Sequence, residues 1–247
     1  MTKLIFLGCL SIRFYESTCE NAVKLIQFLD KEYEIIEDAP CCGSLAYNIA
    51  PDKTMKEHVD FVNKWFKSNN VTDLITICAG CYSYFTRYYK EFLNSEFSVN
   101  IQHLLQFIAQ AENLKRLKLN YSGKPIKINY HDACHLRNSS NPIIEEPRTI
   151  LNSIKNVEFI EMDYNKTKSI CCGAGGGVYS AFKENSDYNA KTIFDNMNKS
   201  KVLVTACPFC YTALNRVKEE KNIKKSVLKF EDFITKIQQG VDPIDER

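Results

Sequence analysis

The chain has 247 residues and a mass of 28.5 kDa, with 45% hydrophobic and 25% charged residues; this is globular composition and excludes a disordered, collagenous or coiled-coil chain. Thirty-two Lys and Arg against 30 Asp and Glu leave a net charge of +2, so charge gives no argument for a nucleic-acid partner. No apolar run approaches the ~18 residues of a membrane span, so no membrane insertion is expected, and the apolar stretch at the N-terminus is too short for a secretory signal.

In chain order, Leu4-Ile5-Phe6-Leu7 predicts a buried strand that runs into Cys9. Cys19 shares an apolar helical face with Val23 and Ile26, which predicts a buried structural thiol. Tyr33-Glu34-Ile35-Ile36 predicts a second strand, followed by Cys41-Cys42-Gly43. Met55, Val59, Val62 and Phe66 recur at helical spacing, with Thr54 and Glu57 as a capping box. His58 lies off the centre of that stripe and reads as a surface or packed histidine, as does His103. Leu74-Ile75-Thr76-Ile77 leads into Cys78-Ala79-Gly80-Cys81-Tyr82, and Ile101, Leu104, Leu105 and Ile108 form another helical stripe.

The polar stretch around Asn120 and Lys124 is the expected join between two domains, residues 1–120 and 121–247. Beyond it, strands are predicted over 126–130, 157–160 and 201–204, with a helical stripe at Ala190, Ile193, Phe194 and Met197. The Lys/Glu run 218–225 reads as a solvated helix face.

The eleven cysteines carry the signal. Cys19 apart, ten fall into two sets of five: Cys9, Cys41, Cys42, Cys78, Cys81 and Cys134, Cys171, Cys172, Cys207, Cys210. The gaps are 31 and 35 residues in the first set, 36 and 34 in the second, and both vicinal pairs precede a glycine. This is an internal duplication. Seven of the nine glycines also lie beside these cysteines. Strand–helix alternation predicts two pseudo-symmetric, Rossmann-like α/β halves with parallel sheets. The cysteines then lie at the carboxyl ends of strands, where such sheets place ligands.

Five thiolates exceed the four ligands of a zinc site or of a cubane cluster. Adjacent cysteine side chains diverge, so a vicinal pair suits a larger body gripped at separate irons. An extended iron–sulfur cluster is therefore favoured over zinc, with disulfides or free thiols as the remaining alternatives. The glycine-rich turn 173–177 could direct backbone N–H groups at cluster sulfides; as a nucleotide loop its spacing is wrong. His131 and His135 flank Cys134, with Arg137 close by; they could supply a proton or bind a substrate carboxylate, or merely orient the turn. Tyr82 and Tyr211, one after each C-x-x-C, are expected to pack over the metal sites.

The twice-repeated pattern C…CCG…C-x-x-C resembles the cysteine-rich CCG domain found in the catalytic subunit of heterodisulfide reductases and its relatives. Those relatives include iron–sulfur subunits of lactate and glycolate oxidation and of fumarate or succinate enzymes. The resemblance covers both halves. It implies two non-cubane [4Fe-4S] clusters, one on each set of five cysteines, with zinc in place of the N-terminal cluster in some relatives. Cys171-Cys172-Gly173-Ala174-Gly175-Gly176-Gly177-Val178 and Thr205-Ala206-Cys207-Pro208-Phe209-Cys210 are similar to the catalytic half of that group. Cys41-Cys42-Gly43 departs from the Cys-Cys-Pro of many reductase subunits and leaves the hydroxy-acid branch open. No ferredoxin motif C-x-x-C-x-x-C-x-x-x-C occurs, so electrons would pass through a ferredoxin-like [4Fe-4S] subunit and a flavin-containing subunit.

The implied function is an oxidoreductase: a catalytic subunit, in the cytoplasm of an anaerobic or sulfur metabolism, that reduces or forms a small thiol/disulfide. Two clusters facing one cavity would each take one sulfur as the S–S bond splits. The alternative is an electron relay for a hydroxy-acid or succinate/fumarate oxidoreductase, without a substrate of its own. A third reading is a zinc-stabilised interaction module. A pocket with basic groups favours the first reading and a closed surface the second.

Overall fold

The computed structural model describes residues 1–49, 53–93 and 96–244. The first half opens with β1 (Thr2–Phe6), α1 (Cys9–Phe14), α2 (Glu16–Leu29) and β2 (Tyr33–Glu34). It continues with α3 (Ser44–Ile49), α4 (Lys53–Ser68), β3 (Val71–Thr76), α5 (Ala79–Leu93), β4 (Asn100–His103), α6 (Leu104–Ala109) and α7 (Ala111–Leu117). The second half holds β5 (Ile126–Tyr130), α8 (Cys134–Arg137), α9 (Glu145–Asn152), β6 (Val157–Phe159) and α10 (Val178–Ala181). Then follow α11 (Lys183–Asp195), β7 (Val202–Thr205), α12 (Pro208–Glu220), β8 (Ser226–Lys229) and α13 (Phe230–Gln238).

Each half is one four-stranded parallel sheet, ordered β2-β1-β3-β4 and β6-β5-β7-β8. The duplication read from the cysteines is thus a duplication of topology. In each sheet the chain reverses direction of growth between the two central strands, β1 and β3 or β5 and β7. The loops leaving those strands diverge and open a crevice at their carboxyl ends. Cys9, Cys78, Cys134 and Cys207 stand two to four residues after these four strands.

The central strands are apolar on both faces because helices cover both. Leu4 pairs with Leu74 and Ile5 with Ile75, all buried; Leu203 and Val204 are fully buried in β7. The Met55 stripe behaves as predicted, with Val59 and Val62 fully buried on α4. Two strands escaped prediction. β4 and β8 are four residues long, with three and two polar residues, as sheet edges allow. Ile101 belongs to β4, so the predicted stripe is split between a strand and α6. Thr54 lies inside the first turn of α4 and not at its cap; the cap position is outside the described residues. The 218–225 run is not one helix face: α12 ends at Glu220, and Lys225 turns inward to donate to the Phe194 carbonyl at 2.7 Å.

One apolar core runs through both sheets, from Ile5, Leu25 and Leu105 to Ile128, Leu151 and Leu203. The halves meet as a pseudo-twofold demands. α2 packs on α13 and α6 on α9, two contacts that exchange when the halves are swapped. Polar pins cross the seam: Thr18 and Asn21 donate to Asp232 at 2.8 and 2.9 Å, and the Tyr82 hydroxyl donates to the Asn141 carbonyl.

Candidate metal centre

Both crevices gather all five of their cysteines, each set from the corresponding strand ends and turns of its half. Gly8 sits at φ +82°, and a Cβ there would meet Cys78 Cβ at 3.0 Å and Cys81 Sγ at 3.2 Å. A glycine is what lets β1 leave the sheet against the C-x-x-C turn and start α1 at Cys9. Cys78 stands two residues after β3, and Cys81 lies in the first turn of α5. The vicinal pair splits as its geometry requires. Cys41 is exposed, with its sulfur 3.8 Å from Cys9 Sγ; Cys42 is buried, with its sulfur 3.3 Å from Cys81 Sγ. In the second half Cys171 is exposed, 3.6 Å from Cys134 Sγ, and Cys172, Cys207 and Cys210 are buried. No disulfide joins any of the eleven cysteines, and Cys19 is a buried thiol on α2, as expected.

Crowded sulfurs cannot all ionise alone. The Cys41 thiol is held far below the usual range by hydrogen bonding to Cys42 and Cys9 and by the Gly43 N–H. Cys9 is pushed up by its ionised neighbour Cys41. Cys171 is held low by Cys134, Cys172 and the Gly173 N–H, 3.4 Å from its sulfur, while Cys134 rises against Cys171. Each set is a nest of soft donors short of positive charge, which an iron–sulfur body supplies.

A cavity of about 280 Å³ is walled by all five first-set cysteines. The second half closes it with His135, Gly176 and Phe209. A smaller cavity of about 190 Å³ runs from Ser44 and Gly80 to Cys134 and His135. His135 therefore lies between the two cysteine sets. Its ring is largely buried, and that burial pushes its pKa down.

His131 is 1% exposed with neither ring nitrogen hydrogen-bonded among the described residues; burial pushes its pKa down to about 4 against the opposing pull of Asp132 and Cys171. Arg137 lines neither cavity; its guanidinium donates to the Thr167 carbonyl at 2.6 Å, on the loop that leads to Cys171. Tyr82 and Tyr211 do not cover the cysteines as expected. They face the seam between the halves, because the residue after a helical cysteine points about 100° away from it. Tyr82 meets Asn141, and Tyr211 stacks edge-on against Tyr15 at 5.3 Å. The glycine-rich turn serves both partners: the Gly173 N–H faces Cys171 Sγ, while Gly177 lets Ile49 of α3 approach to 3.2 Å of where a Cβ would be.

His58 is the packed histidine expected, with its Nε2 2.8 Å from the Cys41 carbonyl oxygen. Two features escaped the sequence reading. Arg13 lines the larger cavity. Arg148 donates two bonds to Asp132, at 2.8 and 2.9 Å, and two to Glu161, at 2.6 and 2.9 Å. Asp132 in turn accepts the Lys166 N–H, so this buried network ties the Cys134 turn to the loop before Cys171. A lone Arg on an amphipathic helix gives no sequence signal of such a role.

Comparison with known proteins agrees with this geometry. The cysteine-rich CCG domain matches twice, at residues 4–86 and 128–215. The chain belongs to the CCG cysteine-rich domain family and carries two copies of the domain. It is 31% identical to an uncharacterized iron–sulfur protein of Methanocaldococcus jannaschii, over 90% of this chain and 43% of that one. It is 30% identical to one subunit of the dihydromethanophenazine:CoB–CoM heterodisulfide reductase of Methanosarcina barkeri, over 83% and 50%. A probable glycolate oxidase iron–sulfur subunit of Bacillus subtilis is 29% identical, over 83% and 47%. The chain is thus an iron–sulfur relative of oxidoreductase subunits, and it spans about half the length of these relatives. No described helix is long and apolar enough to cross a membrane.

Proposed function

We propose that the chain is a catalytic iron–sulfur unit of a heterodisulfide-reductase-like complex, in the cytoplasm, with two non-cubane [4Fe-4S] clusters on the two sets of five cysteines. Each set would belong to its own domain, residues 1–120 and 121–247. The observation that carries the reading is the cavity walled by all five first-set cysteines and closed by His135 beside Cys134. The split vicinal pairs support an extended body over a single ion.

Splitting RS–SR′ takes two electrons and two protons and leaves two thiols. The electrons come from a ferredoxin-like and a flavin-containing partner, the protons from solvent. When bound, the clusters supply the electrons and thiophilic iron. The protein's own residues do the rest. Leu10, Phe14 and Phe209 give the cavity an apolar wall. His135 donates a ring N–H to a substrate sulfur, His131, buried with neither ring nitrogen bonded among the described residues, holds a further ring N–H beside the second set, and Arg137 positions the Cys171 loop through Thr167. The kinship with a glycolate oxidase subunit keeps the relay reading as the alternative.

The test is iron, zinc and acid-labile sulfide per chain on anaerobically purified protein, with EPR of the oxidised and reduced forms. About eight irons, four per set, are expected. About four irons with one zinc would leave a single redox-active half and end the two-cluster reading.

A further inference from the structure

The larger cavity has a charge pattern that its sulfurs do not require. Among the described residues its wall carries one permanent cation, the Arg13 guanidinium, and no carboxylate. Arg13 lies one helical turn after Cys9 on α1, so the two side chains share a face. Its guanidinium rests 5.3 Å from the Phe14 ring centroid and has no ion pair or hydrogen bond among the described residues. The wall beside it is apolar, built from Leu10, Phe14, Leu45 and, across the seam, Phe209.

The second half sharpens the point. Arg137 follows Cys134 at nearly the spacing at which Arg13 follows Cys9, yet its guanidinium is bound to Thr167. The duplication has committed one arginine to holding a loop and left the other unpaired at the cavity.

We infer that Arg13 is the specificity residue of this cavity: it takes the carboxylate-like anionic end of a small thiol or disulfide. The carbon chain of that substrate lies along Leu10, Phe14, Leu45 and Phe209, and its sulfur points toward the end of the cavity where the first-set cysteines would hold their cluster. The planar fork of arginine fits two anionic oxygens at once. The inference rests on the reading of the cavity as a thiol site.

The experiment is equilibrium binding by calorimetry to the anaerobic, cluster-loaded protein. The probes are 3-mercaptopropanoate and its neutral counterpart 3-mercaptopropan-1-ol. The wild type should prefer the acid by about tenfold or more, the worth of one charge-assisted hydrogen bond, and the preference should shrink as salt rises. Arg13→Gln should bind both thiols alike at unchanged iron content, and Arg13→Lys should restore part of the preference. Equal binding of both thiols to the wild type, or a preference for the acid that survives in Arg13→Gln, overturns the role of Arg13 and leaves the thiol site standing. If neither thiol binds fully loaded wild-type protein, the thiol site itself falls, and this inference with it.

Discussion

The ring of His135 rests against Gly175: a methyl group there would stand 3.0 Å from His135 Cε1. The contact belongs to the second half, but the ring it holds lines the cavity of the first. Gly175→Ala should therefore push His135 by a few tenths of an ångström without touching a cysteine. Iron per chain should be unchanged. Disulfide turnover should fall by about tenfold, since misplacement of an aligned group is costly. Equal turnover at equal iron content would remove His135 from the proposed chemistry.

The division of labour within Cys41-Cys42 predicts selective loss of metal. Cys42 faces Cys81 in the buried part of the first crevice. Cys42→Ser should empty the first set and spare the second, lowering iron from about eight to about four per chain. Cys172→Ser should do the reverse, and the two variants should show different residual EPR spectra. Complete iron loss in either variant would mean that the two sets do not bind independently.

The cysteine repeat made the duplicated topology legible, because the repeated cysteines stand just after corresponding strand ends. What it hid depends on pairing across the seam. Tyr82 follows Cys81 in the chain, yet its hydroxyl is bound by the Asn141 carbonyl, 59 residues away. β4 and β8 are too short and too polar for a periodicity signal, and neighbouring strands hold them in place. Arg13 and Arg137 look alike in sequence; only the fold gives one a carbonyl and leaves the other at a cavity. Asp132 lies between His131 and Cys134 like a candidate catalytic acid, and the structure uses it as an anchor.

That anchor is nearly dry: the side chains of Arg148 and Asp132 are 6% and 1% exposed. Removing one partner strands a buried charge, at about 3–5 kcal/mol. Arg148→Met should lower the Tm by about 10 °C for a chain of this size. It should also reduce iron in the second set more than in the first, because the network joins the Cys134 turn to the Cys171 loop. Thermal unfolding and iron analysis check both. A Tm within a degree or two of the wild type would show that the network is dispensable.

Glu231, at the start of α13, is 4% exposed, and burial together with the neighbouring Asp232 pushes its carboxyl up to about 8. The folded protein therefore binds this proton more tightly than the unfolded chain does, whose carboxyl titrates near 4.5. Linkage fixes the sign: the contribution of Glu231 is fully present below pH 4.5 and is lost progressively as pH rises to about 8. Glu231→Gln keeps the shape and removes the ionisation. The variant should match the wild type near pH 4.5 and exceed it in Tm by several degrees at pH 8.5, with the gap opening between those values. A gap that stays constant with pH would mean that the Glu231 carboxyl titrates normally in its buried site.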